Sequence, residues 1–244
     1  MTKGIYEIIY NKKIALNIYE MKLLGDTCAI KRPGQFINIQ LDGFYLRRPI
    51  SICDYDERSI VIIYKVVGKG TEHMAKLQAH QTLDILVGLG NGYDSSKSGA
   101  CPLLIGGGVG IPPLYNLAKE LISQSKKVNV ILGFNCGDEV FYENEYKSLG
   151  AKVTVATYDG SCGVKGTVLD ALKSVDSFTY FYACGPEPML KAVYTACAAD
   201  GQLSFEERMG CGFGACMGCS CETKYGSKRI CKDGPVLTKE EIIW

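Results

Sequence analysis

From Gly99 onward the sequence alternates short apolar runs with amphipathic stretches, and this alternation restricts the fold more than any other feature. CPLLIGG is a continuous apolar run of the kind that forms a strand covered on both faces. PPLYNLAKELISQ then sets Leu114, Leu117, Ala118, Leu121 and Ile122 at i, i+3, i+4, i+7 and i+8, one face of a helix. VNVILGF, KVTVAT and FTYFYACG read as further strands, with FYENEYKSLG, TVLDALKSV and EPMLKAVYTACAADG as helices between or after them. Such an order predicts a parallel sheet joined by right-handed crossovers.

The first 97 residues have a different rhythm. IYEIIY, IALNIYEM, QFINIQL, SIVIIYKVV and TLDILVG are rich in β-branched and aromatic residues, with Pro33-Gly34 and Asn91-Gly92 marking turns. Many short strands predict a barrel or sandwich, interrupted by one short helix over Thr71–Ala79. From about Gly201 a cysteine-rich segment begins. The expected division is therefore 1–98, 99–200 and 201–244. Net charge is +1, which provides no long-range field for nucleic acid or an anionic membrane. No apolar run reaches the roughly 20 residues of a membrane span. The opening MTKGIYEIIYNKKIALNI lacks the pattern of a signal peptide and reads as a first strand, so a cytoplasmic protein is expected.

That expectation bears on the 12 cysteines, because disulfides are rare in a reducing compartment and a dense group there points to metal or redox chemistry. ERMGCGFGACMGCSCETKYGSKRICKDGPVL contains Cys211-x4-Cys216-x2-Cys219-x11-Cys231, with Cys221 left over. A [2Fe–2S] cluster needs four thiolates, and C-x4-C-x2-C with a distant fourth cysteine is its plant-type order. Small residues between the cysteines let the backbone wrap closely around the sulfurs. Zinc is the rival, since Cys216-x2-Cys219 is also half of a zinc ribbon, and a non-metal role is the third reading. Cys28, Cys53, Cys101, Cys136, Cys162 and Cys197 are expected as small core residues.

LLIGGGVGIPPLYNLAKEL places Gly106, Gly107, Gly108 and Gly110 at a strand-to-helix turn, where a pyrophosphate could approach the main chain. Pro112 and Pro113 suit the first turn of the helix. The loop departs from G-x-G-x-x-G, with Ile111 where the third glycine belongs, and a tight turn without a ligand is the alternative reading. YFYACGPEPML runs a second strand into Cys184, Gly185 and Pro186. Ligands of open α/β sheets bind beyond the carboxyl ends of the strands, so both loops would share one rim. In the first section, YLRRPISICDYD sets Arg48 and Ser51 around Pro49 at a strand end, and IIYKVVGKGTEHMAKL opens a short helix with Gly68, Gly70 and Thr71. Arg47 and Arg48 read either as a solvated pair or as a phosphate grip.

RRPIS, GKGT, IGGGVGIPPL, ACGP and the cysteine module occur in the order found in the ferredoxin–NADP reductase superfamily. The ending RICKDGPVL resembles the electron-transfer subunits of type B dihydroorotate dehydrogenases, with likeness from about Tyr6 to the C-terminus. The resemblance implies an antiparallel β-barrel that binds FAD, a parallel-sheet α/β domain that binds NAD(H), and a small C-terminal [2Fe–2S] module. It implies FAD contacts at Arg48, Pro49, Ile50, Ser51, Ile63, Tyr64, Lys65, Gly70 and Thr71, and cluster ligands at Cys211, Cys216, Cys219 and Cys231. Ile50 stands where many members carry an aromatic residue stacked on the flavin. The implied activity is that of an NADH-linked oxidoreductase subunit in pyrimidine biosynthesis, relaying electrons between NAD and a dihydroorotate-oxidising FMN chain, as a heterotetramer. That partner, a TIM-type barrel, needs about 250 residues of its own. His73 and His80 read as surface residues, and no carboxylate pair or nucleophile–base constellation stands out. The alternatives are the small subunit of a ferredoxin-dependent transhydrogenase or sulfide dehydrogenase and, in another class, a zinc-stabilised nucleotide-binding regulator.

Overall fold

The computed structural model describes residues 1–244. The first section closes into an antiparallel barrel of β1 (Thr2–Ala15), β2 (Ile18–Leu24), β3 (Phe36–Ile39), β4 (Arg48–Tyr55), β5 (Ser59–Lys65) and β6 (Thr82–Leu89). The strands run around it in the order β1-β2-β5-β4-β3-β6, and β6 returns to β1. Alternation decides which residues face inward. Tyr6, Ile8, Met21, Leu23, Ile37, Ile39, Ile52, Ile60, Ile62 and Tyr64 fill the interior. The alternate residues Phe36, Cys53 and Ile63 pack outward, against the rest of the chain.

Three local expectations change. IALNIYEM is not one strand: β1 reverses into β2 at Leu16-Asn17, where Asn17 takes the left-handed conformation (φ 58°) that a two-residue hairpin favours. Arg48 begins a strand, β4, because Pro49 occupies its first turn of pleat while Ile50 and Ile52 still alternate inward. The short helix is α1 (Lys69–Met74), starting two residues before Thr71 and ending well before Ala79.

The second section gives β7 (Pro102–Gly107), α2 (Pro112–Ser123), β8 (Asn129–Phe134), α3 (Glu143–Ser148), β9 (Lys152–Thr157), β10 (Val164–Lys165), α4 (Val168–Leu172), β11 (Tyr180–Cys184) and α5 (Glu187–Ala196). Helix α2 buries Leu114, Leu117, Ala118 and Leu121, each contributing about 1–3 kcal/mol by leaving water. It stops where Ser125 turns left-handed (φ 62°) and Lys126 N–H reaches back to the Leu121 carbonyl at 3.1 Å.

The sheet does not end with β11. Its order is β10-β9-β8-β7-β11-β12-β15, where β12 (Gly201–Ser204) runs parallel to β11 and β15 (Val236–Thr238) antiparallel to β12. The segment 201–244 therefore contributes two strands to this sheet, besides its own hairpin of β13 (Ser220–Thr223) and β14 (Gly226–Arg229). Asn91, just after β6, holds the approach to β15: its N–H donates to the Gly234 carbonyl (2.7 Å) and its amide bonds Val236 in both directions.

Two apolar clusters weld the sections together. One joins Ile18, Cys53 and Ile63 of the barrel to α2 and the sheet; the other joins Phe36 and Leu89 to β7, β11, β12 and the cysteine segment. Polar contacts reinforce the first: Lys119 Nζ reaches Asp54 at 2.7 Å, Asn116 Nδ2 donates to Asp54 at 2.7 Å, and the Tyr142 hydroxyl donates to Glu20 at 2.9 Å. Of the six cysteines expected in the core, only Cys53 and Cys197 are buried; Cys28 is exposed, and Cys101, Cys136 and Cys162 are half-exposed on loops and edges. Cys136 and Cys162 lie in turns beside polar residues and glycines, where no strand alternation carries a side chain inward. No helix is long and apolar enough to cross a membrane.

Candidate nucleotide, flavin and cluster sites

The strand order reverses direction at β7. From there the chain winds outward through β8, β9 and β10, then returns to β11 on the other side of β7. Such a switch point leaves a crevice at the carboxyl ends of the two central strands. Gly106, Gly107, Gly108 and Gly110 lie at the end of β7, and Cys184, Gly185 and Pro186 at the end of β11, with Gly106 and Cys184 directly paired. The loops touch. A Cβ on Gly110 would collide with the Cys184 carbonyl oxygen and lie 2.6 Å from Gly185 N, backbone atoms that cannot swing aside. Pro112 opens α2 beside them. Burial pushes the Cys184 thiol up to about 12, so it remains a neutral group at neutral pH.

A valine at Gly110 is therefore expected to force the two loops apart. NADH oxidation should fall about a hundredfold, as misplacement of a binding loop by an ångström does, while bound flavin and iron stay at native levels. Dye-linked kinetics alongside cofactor content check this.

On the barrel, Arg48 and Gly70 come together although 22 positions separate them. A Cβ on Gly70 would meet the Arg48 guanidinium, whose Nη1 donates to the Leu46 carbonyl at 2.6 Å and which lies over the Phe44 ring at 4.9 Å. Arg47, by contrast, is spent on the barrel itself, paired with Asp84 at 2.7 Å. Arg48 has no carboxylate partner, which leaves a positive charge beside the start of α1 and suits a phosphate. The Thr71 hydroxyl accepts from Val67 N–H (2.9 Å) and Gly68 N–H (3.2 Å), shaping the GKGT turn. Pro49 and Ser51 lie on the outer face of β4, while half-buried Ile50 packs toward the barrel core opposite Ile37. Ile63 faces outward, Tyr64 points inward with its hydroxyl on Asn11 (2.9 Å), and Lys65 pairs with Glu139 across the interface at 2.7 Å. Tyr64 is 2% exposed, and its side chain does not reach the outer face. His73 edges against Phe44 and His80 pairs with Glu7 at the surface.

The four expected cluster cysteines form two pairs, Cys211 with Cys216 and Cys219 with Cys231. No three of these side chains converge on a single point, although a [2Fe–2S] cluster would need all four thiolates. Main-chain N–H groups already point at the sulfurs: Ala215 to Cys211 Sγ at 3.2 Å, Phe213 to the same sulfur at 3.4 Å, and Cys231 to Cys219 Sγ at 3.4 Å. Burial pushes the Cys211 thiol up, but the N–H groups of Cys216, Phe213 and Ala215 outweigh it and hold it at about 6. Burial and the neighbouring Cys219 push Cys231 up to about 12. Four thiols, ready donors and a glycine-rich wrap fit a [2Fe–2S] cluster. Cys221 sits on β13 opposite Lys228, and burial together with Glu207 and Glu222 pushes its thiol up. Behind the loop, Arg229 bonds Asp233 (3.0 Å) and the Gly214 carbonyl (2.9 Å), tying both arms of the module. Asn91-Gly92 reads in the sequence only as a turn, because the partners of Asn91 at Gly234 and Val236 lie far along the chain.

Residues 206–243 match the iron–sulfur cluster binding domain of dihydroorotate dehydrogenase B, and residues 104–195 an oxidoreductase NAD-binding domain. The chain is 44% identical to the electron transfer subunit of dihydroorotate dehydrogenase B (NAD(+)) from Fusobacterium nucleatum, over 95% of each chain. The chain belongs to this family. The corresponding Geobacillus subunit is 42% identical over 97% of this chain and 96% of its own. Among solved structures, an NADH-dependent reduced ferredoxin-NADP oxidoreductase superposes with a TM-score of 0.89 at 30% identity, covering 99% of this chain and 90% of that one. A ferredoxin NADP+ reductase from Neisseria gonorrhoeae shares the fold (TM-score 0.68, 16% identity, 80% of this chain and 89% of that one). With an iron–sulfur domain and an NAD-binding domain on one polypeptide, the chain is an NAD-linked oxidoreductase subunit.

Proposed function

We propose that this chain relays electrons between NAD and a dihydroorotate-oxidising, FMN-containing subunit in pyrimidine biosynthesis, using FAD and a [2Fe–2S] cluster. One observation carries the reading: a single outer face of the barrel abuts both other sites. Cys53 and Ile63 on that face pack against the sheet that bears the glycine loop, and Phe36 packs in the same cluster as Cys219 and Cys231. When bound, FAD exchanges two electrons with a nicotinamide and single electrons with a cluster, which is the conversion a relay needs. Arg48, beside Gly70 and Thr71, holds the flavin's pyrophosphate; Pro49 and Ser51 support the ring from the outer face of β4 and Ile63 from β5, with Ile50, Tyr64 and Lys65 contributing main-chain atoms because their side chains are turned into the barrel or paired with Glu139. Gly106, Gly107, Gly108, Gly110 and Pro112, with Cys184, Gly185 and Pro186, receive NAD(H). Cys211, Cys216, Cys219 and Cys231 hold the cluster. The working division is 1–98, 99–200 and 201–244, with β12 and β15 of the last segment completing the sheet of the second.

A catalytic partner chain is expected because the relatives are electron transfer subunits of a larger dehydrogenase. We propose a heterotetramer of two chains of each kind, in the cytoplasm, a setting that 12 unpaired thiols favour. Co-purification from the native host should recover an FMN-containing chain in equal amount, and the mass of the complex should equal two of each. Recovery of this chain alone would count against the assembly.

The segments past β8 and β9 are acidic, with Asp138 and Asp159 in the connections, Glu143 and Glu145 in the first turn of α3, and no Lys or Arg from Gly133 to Tyr146. A 2′-phosphate there would meet like charge. We expect kcat/KM for NADH to exceed that for NADPH by about tenfold or more, and equal values would contradict this assignment.

A further inference from the structure

Asn38 lies within β3, is 1% exposed, and belongs to none of the sites above. Its neighbours Ile37 and Ile39 fill the barrel, so the Asn38 side chain leaves through the outer face. There it meets the cluster loop. Asn38 Nδ2 donates to the Cys211 carbonyl at 3.3 Å, and a Cβ on Gly212, which sits at φ 79°, would collide with the same amide. Any side chain at 212 would lift the first ligand's turn off the barrel. On the opposite side, Asn38 is paired with Pro49 of β4, and Phe36 with Ser51. Neighbouring strands lie about 4.8 Å apart, so a ring resting on Pro49 and Ser51 is one strand away from Asn38. The strand is pinned at this point, since Arg47 Nη1 donates to the Asn38 carbonyl (3.3 Å) while its other arm pairs with Asp84.

The remaining polar atom is the telling one. Asn38 Oδ1 is buried and has no hydrogen-bond partner. Buried acceptors are rarely left unpaired in a folded protein, and Asn38 Oδ1 lies on the side chain that joins the barrel face to the cluster loop, where a donor from a bound group would satisfy it. An amide suits that position because it can donate on one side and accept on the other.

We propose that Asn38 is a positioning residue for the flavin–cluster junction: its NH2 fixes the Cys211 turn against the barrel, and its Oδ1 accepts a hydrogen bond from an N–H of the flavin ring. This rests on the reading of Arg48 to Ser51 as the flavin stretch. The step it serves moves one electron with no bond made or broken; with NADH as donor, the flavin loses the electron that the cluster gains.

The test uses the complex with its partner chain, carrying Asn38→Asp, which keeps the shape and removes the donor, or Asn38→Leu, which removes both functions. FAD and iron content are measured first, then anaerobic stopped-flow traces with NADH at flavin and cluster wavelengths, and the spin-resonance signature of the reduced cluster. Both variants should hold FAD and iron and be reduced by NADH at a near-native rate. Cluster reduction should slow about ten- to a hundredfold, because a shifted donor–acceptor geometry is costly, and the cluster signature should move. Near-native cluster reduction with an unchanged signature would overturn the proposal. So would loss of iron or FAD from both variants, which would make Asn38 a folding requirement. Arg48→Ala separates the two readings. If it retains FAD, the flavin stretch is misassigned and the proposal falls with it; if it loses FAD while the Asn38 variants behave as native, only the proposal falls.

Discussion

Changing any one of Cys211, Cys216, Cys219 or Cys231 to serine is expected to strip the protein of its iron, to below about a tenth of the native content, whereas Cys221→Ser keeps it. In the proposed assignment the four thiols supply the full ligand set, and three would not close a binuclear cluster when the fourth position offers only a poorly acidic hydroxyl. The pairing sharpens the expectation. Cys219 and Cys231 are 2% and 1% exposed, so no external thiol can reach their places. Cys216 is exposed and Cys211 is half-exposed, so some residual iron at those positions would come from added thiols and disappear on gel filtration. Cys221 stands two positions beyond Cys219, within β13 and opposite Lys228, outside the C-x4-C-x2-C spacing. Iron analysis with the visible spectrum decides the matter. Retention of iron by one of the four single variants, or its loss in Cys221→Ser, would contradict the ligand set.

The parts of this molecule that were legible in the sequence are those written in local periodicity. Leu114, Leu117, Ala118 and Leu121 repeat at helical spacing and are buried together, and the apolar runs from Pro102 to Gly107 and from Tyr180 to Cys184 are the central strands. The cysteine spacing and both glycine turns were legible for the same reason, since each motif lies within a single loop. What escaped was set by partners far along the chain. β4 carries Pro49 and a polar Asp54, so it lacks a strand's composition, and it forms because β3 and β5 lie on either side of it. The return of β15 to the sheet depends on Asn91, 145 positions from Val236. Asn38 reads as an ordinary polar residue in QFINIQL; only the fold brings Cys211, 173 positions away, to its amide. The ending CKDGP was recognisable by resemblance, while its cause is structural: Asp233 accepts from Arg229 N–H at 3.0 Å, and Gly234 passes close over Ile230.

The second large effect concerns dependence on the partner. By itself the chain should oxidise NADH with dyes as acceptors, because the nucleotide rim and the flavin face lie within it. It should not turn over dihydroorotate or orotate, because in the proposed assembly that chemistry belongs to the FMN-containing chain. Joined to the FMN-containing chain, it should couple dihydroorotate oxidation to NAD⁺ reduction. The cysteine segment packs on Phe36 of the barrel and leaves Phe213 and Met217 exposed around the cysteine loop, so a cluster held there would lie between the barrel face and the surface. Removing the cluster should therefore abolish coupling and spare the dye reaction. The most direct measurement is an anaerobic comparison, at equal flavin content, of the isolated chain, the complex, and the complex carrying Cys219→Ser. The account predicts dye reduction in all three and dihydroorotate-dependent NAD⁺ reduction only in the intact complex. Orotate formation by the isolated chain, or coupling that survives without iron, would contradict it.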